Sequence, residues 1–108
     1  MQNDEKKNVL PEDNLLLVSG SKSATKEENK LYVKKLANAI LQVLYKHGSV
    51  KMRCVGAGSV NNADKAFIIA KGEAQKSGEK LLLDESFTTV EFGGEKKTGI
   101  LKEVIKVD

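Results

Sequence analysis

The residues of this chain whose types and spacing could do chemistry gather between Val50 and Gly72, around the run Gly56-Ala57-Gly58-Ser59. Glycines at a strand-to-helix junction let the backbone turn at dihedrals a Cβ would obstruct, and the first amides of the helix point outward at the positive end of its dipole. That chemistry is anion binding; the alternative is that Gly56 and Gly58 only permit tight packing. A dinucleotide site is disfavoured, because the third glycine of that fingerprint is missing and no second βαβ half follows. Catalytic chemistry has fewer footholds. His47 precedes Gly48 at the end of a helix pattern, where it complements the dipole with no catalytic role. Cys54 falls on the apolar side of a strand pattern and reads as a small core residue, not a nucleophile or half of a disulfide. Asp84 and Glu85 are adjacent, so on a strand they face opposite ways. No metal-ligand spacing is present, and the expectation is a protein that is not an enzyme and needs no cofactor or metal.

The elements that must position this junction follow from periodicity. Val50, Met52 and Cys54 alternate with Lys51 and Arg53, a half-buried strand. Val60, Ala63, Phe67 and Ala70 then recur at helical steps, with Ser59 or Asn61 able to cap the helix, which ends at Gly72 or at Ser77-Gly78. Upstream, residues 1–13 are polar and interrupted by Pro11, so a disordered tail is expected there and a folded domain over 14–108. Residues 14–19 form a short apolar strand whose Leu15 and Leu17 need a second cover, for which a partner subunit is one candidate. Thr25 and Glu28 stand at capping-box spacing ahead of an amphipathic helix from Lys26 to His47 with the stripe Val33, Leu36, Ala37, Ile40, Val43, Leu44. Downstream, Lys80 to Phe92 reads as a strand, with a bulge or bend expected around Asp84 to Ser86. Gly93-Gly94 is a two-residue hairpin signal, and the returning strand runs from about Glu95 to Val107. The order β-α-β-α-β-β predicts an α+β domain, a four-stranded mixed sheet with two helices on one face.

Composition bounds the partners. The formal charge is +3 from 18 basic and 15 acidic residues; residues 1–13 carry −2 of it, leaving +5 on the rest, a mild excess that permits nucleic-acid binding without demanding it. Trp is absent and aromatics make up 5%, so base-stacking platforms are scarce. One cysteine implies a reducing compartment, and neither a membrane span nor a secretory signal is legible, so a cytoplasmic protein is expected.

The run Gly56-Ala57-Gly58-Ser59-Val60-Asn61-Asn62-Ala63, followed by Lys65-Ala66, Ile69-Ala70-Lys71-Gly72, Ser77-Gly78, Phe87-Thr88 and Gly94-Glu95, resembles the stage V sporulation protein S family from about Lys35 to Ile100. Val18-Ser19 and Lys22-Ser23 echo its first strand and loop. The resemblance implies an Alba-like fold (initiation factor 3 C-terminal-like) and a small dimer or higher homo-oligomer that binds the phosphate backbone of DNA or RNA in sporulation. The binding regions of Alba-like proteins then correspond to Ser21, Lys22 and Ser23 in the first loop, Ser59, Asn61 and Asn62 at the second helix start, and Lys96 and Lys97 on the hairpin. The chain departs from that family at Leu17, Asp84, Glu85 and Lys102, and between Ser23 and Lys34, where an insertion lengthens the first helix. A regulatory protein-interaction module is the competing expectation.

Overall fold

The computed structural model describes residues 13–20 and 24–107, so the tail expectation, Asp13 apart, and the expected site residues Ser21, Lys22 and Ser23 lie outside the described residues. Thr25 opens the first helix through a capping box: the Glu28 amide donates to Thr25 Oγ1 at 3.1 Å, and the Thr25 amide donates to Glu28 Oε1 at 2.8 Å. Helix α1, Lys26–His47, buries Val33, Leu36, Ala37, Ile40 and Leu44, while Val43 packs partly against them. Gly48 ends it in the left-handed conformation (φ 87°) and donates its amide to the Leu44 carbonyl at 2.7 Å.

Strand β1, Leu15–Val18, pairs in parallel with β2, Ser49–Cys54, which is antiparallel to β4, Glu95–Val107; β3, Lys80–Phe92, closes the far edge against β4. The resulting order β1-β2-β4-β3 is a mixed sheet in an α+β fold. Its register sorts residues by face. Leu16 lies opposite Met52, and Val104 lies opposite both Val50 and Leu83; these side chains join Val18, Cys54 and Leu81 in one core with the two helices. Helix α2, Ala57–Lys76, meets that core through Ala63, Ala66, Ala70 and Ala74, whose small side chains let the helix lie close to the sheet. Both helices therefore cover one face. The opposite face carries Leu17, Lys51, Arg53, Leu82, Asp84, Glu103 and Ile105, with Leu17 64% exposed.

Three expectations change or resolve. Neither Ser59 nor Asn61 caps α2: the cap is Gly56, with no side-chain bond, because the helix starts directly after the turn that leaves β2. Of the two possible ends, the later holds, since α2 continues through Gly72 to Lys76 and Gly78 follows with φ 78°. No bulge interrupts residues 84 to 86, because Asp84, Glu85 and Ser86 pair in unbroken register with Glu103, Lys102 and Leu101. The Gly93-Gly94 turn has positive φ at both residues, 53° and 84°, as a twisted two-residue hairpin requires. Among the described residues no helix is long and apolar enough to cross a membrane, and no group of three His, Cys, Asp or Glu could hold a metal ion.

Candidate functional site

The corner between β2 and α2 turns on Gly56, whose φ of 94° and ψ of 155° lie in a region that essentially only glycine occupies. Ala57, Gly58 and Ser59 begin the helix with no carbonyl four residues back inside it, so their amides form its electropositive end. No acidic residue stands in the first turn to offset that potential. The chain after β1 runs against the same turn: a Cβ added at Gly20 would sit 3.4 Å from the Ser59 amide nitrogen. From the other side the hairpin brings Lys97. Gly20, Val55, Gly56, Ala57, Gly58, Ser59 and Lys97 together line an open depression of about 510 Å³. Lys97 also lies over the Phe92 ring, its Nζ 5.9 Å from the centroid, which orients the ammonium.

The expected site residues divide. Lys97 and the backbone of Ser59 meet at this depression, while the Ser59 side chain is turned inward: it is 2% exposed and its one hydroxyl proton is shared between the carbonyls of Val55 (2.9 Å) and Gly56 (2.8 Å). Asn62 is likewise turned inward, 1% exposed. It exchanges reciprocal amide bonds of 3.0 Å with Asn29 and donates to the Ser19 carbonyl at 3.0 Å, tying α2 to α1 and to the end of β1. Asn61 is exposed and belongs to a neighbouring depression of about 480 Å³, with Cys54, Gly99 and Ile100 below and Asp64 and Phe87 beside it. Lys96 is exposed directly opposite Glu91 on β3, so its charge is locally balanced. Ser21, Lys22 and Ser23 lie outside the described residues.

Sequence patterning missed a second feature beside the corner. Lys102 faces the helix side of the sheet with its side chain 1% exposed, held 2.7 Å from Asp64 Oδ1 of α2 and hydrogen-bonded to Glu85 of β3. Burial works against its charge, yet the bonds from Asp64 and Glu85 prevail and keep its pKa above the ordinary lysine value. The signal available was a lysine between Ile100 and Val104, at an inward position of the alternation. Burial also pushes the Cys54 thiol up to about 11, which makes it a poor nucleophile. The family model described as stage V sporulation protein S matches residues 26–107, which include the corner, Lys97 and Lys102.

Proposed function

We propose, from the premise that this chain belongs to the stage V sporulation protein S family, that it is a non-enzymatic protein binding the phosphate backbone of DNA or RNA with little sequence preference. Family membership supports a sporulation-related role; the proposed use there is developmental regulation by a homodimer or higher homo-oligomer. The observation that carries the reading is the convergence of Lys97 with the amide end of α2, whose first turn holds no acidic residue, at one depression. A phosphate there meets backbone donors, the helix dipole and an ammonium, none of which reads a base. Lys22, two positions after Gly20 in the sequence, is a proposed further contact. With about three phosphate contacts per subunit, a dimer makes about six, and affinity should fall as about the fourth to fifth power of salt concentration. Titration of labelled DNA and RNA at two salt concentrations tests this, and no binding at about 50 mM salt overturns it.

A second reading has its own observation. The sheet face away from the helices exposes Leu17, Leu82 and Ile105 among Arg53, Asp84 and Glu103. Exposed apolar side chains, Leu82 beside Ile105 and Leu17 on the far edge strand, set among charges of both signs suit a protein partner, and the chain would then act as an interaction module. Capture of a partner that survives nuclease and high salt favours this reading.

A further inference from the structure

Phe87 is 81% exposed, the most exposed of the large apolar side chains among the described residues. Its position explains why. On β3 it continues the helix-side series Leu81, Leu83 and Glu85, but it pairs with Ile100 at the level where α2 begins, so no helix covers it. The ring borders the depression of about 480 Å³ that also contains Asn61 and Asp64, and that depression shares Gly56 and Ala57 with the phosphate corner.

The two depressions differ in charge. On the Lys97 side the helix end and the ammonium favour an anion. On the Phe87 side two carboxylates, Asp64 and Glu85, surround the one ammonium of Lys102, leaving a net negative charge that repels phosphate. The group that suits the second depression is flat, neutral and edged with hydrogen-bonding atoms: an aromatic ring for its face, and Asn61 with both a donor and an acceptor for its edge. A phosphate and an attached base satisfy both at once.

We infer that the depression beside Phe87 receives an unpaired nucleobase, so that the ligand is single-stranded nucleic acid in preference to duplex. This rests on the phosphate-binding reading of the corner. A base inside a duplex is already stacked on its neighbours and cannot lie on Phe87, whereas a base of a single strand can. Since every base has such a face, and Asn61 can match donors or acceptors, preference among bases is weak.

The test compares oligothymidine and oligouridine of about 12 nucleotides with a duplex of the same length, by fluorescence anisotropy at low salt. Phe87→Ala should weaken single-strand binding about tenfold and leave duplex binding unchanged. Lys97→Ala should weaken both. Because the chain has no Trp, Phe87→Trp places a lone reporter at the depression; its emission should be quenched by the single strands and not by the duplex. Wild-type binding with unchanged affinity in Phe87→Ala, or an unmoved Phe87→Trp emission on saturation, overturns this inference and leaves the phosphate reading standing. Wild-type protein that binds neither form overturns both.

Discussion

Lys102 and Glu85 stand directly opposite each other on β4 and β3, and the lysine's buried ammonium bonds Glu85 while also reaching Asp64 across to α2. The two residues are cross-strand partners, so the charge that one carries is answered by the other. Both carboxylates are about half exposed, at 49% and 52%, whereas the lysine is not, which makes the arrangement asymmetric. Replacing Asp64 and Glu85 together by Ala strands a buried charge and should cost about 3 kcal/mol. Lys102→Met leaves two hydrated carboxylates and an apolar chain in an apolar site, so its effect should stay within about 1 kcal/mol. Urea unfolding midpoints of both variants check the contrast.

Alkali should weaken the fold. Lys102 is held above its ordinary value of 10.5, Tyr45 above 10.0 by the hydrogen bond it donates to Glu79 at 2.8 Å, and Cys54 is raised by burial from 9.0 to about 11. In all three the folded chain favours the protonated form. Their contributions are therefore complete below the unfolded values and are lost as pH climbs through the folded ones. Unfolding free energy should decline from about pH 9 upward, and Cys54→Ala should remove the earliest part of that decline. Denaturant titrations across that range provide the measurement; a flat profile is the contrary result.

Glycine substitutions should separate by position. At Gly99 a Cβ would lie 2.7 Å from the Cys54 carbonyl oxygen, so Gly99→Ala should destabilise by about 2 kcal/mol through forced separation of β4 from β2. At Gly56 there is room, but φ is 94°, and Gly56→Ala should cost a similar ~2 kcal/mol in backbone strain. Gly72 is inside α2 with open space around it, and Gly72→Ala should stabilise by about 0.5 to 1 kcal/mol. Thermal unfolding of the three variants gives the order.

Asn62 holds three elements through one amide. Asn62→Ala leaves the Ser19 carbonyl and the Asn29 amide without their partner and should cost about 2 kcal/mol. Asn29→Ala should cost less, because Asn29 is only half-buried and water can replace its bonds. A double-mutant cycle between Asn29 and Asn62 should return a coupling of about 1 kcal/mol, and additivity would contradict the reciprocal pair.

Lys97 and Lys96 should behave differently toward nucleic acid. Lys97 lines the corner depression, so Lys97→Ala should lower affinity for any sequence and reduce the salt slope by about 1. Lys96 faces Glu91 across the hairpin, so Lys96→Ala should change binding less. Parallel salt titrations of the two variants settle the ranking, and equal losses would point to the hairpin tip as a whole.

Periodicity and turn chemistry alone determined the order of elements, the capping box of Thr25 and Glu28, the ends of α1, and the hairpin at Gly93-Gly94, since each depends on residues close in the chain. Those local rules also placed Gly56 at the corner and Cys54 in the core. They could not say that Ser59 and Asn62 turn inward, because their partners are a backbone turn and residues on distant elements: Ser19 and Asn29 lie 43 and 33 positions away from Asn62. Nor could they pair Lys102 with Asp64 and Glu85, or leave Phe87 uncovered. A strand pattern shows which side a residue takes, but whether a helix lies over that side is decided only when the sheet's register and the helix's starting point are set together.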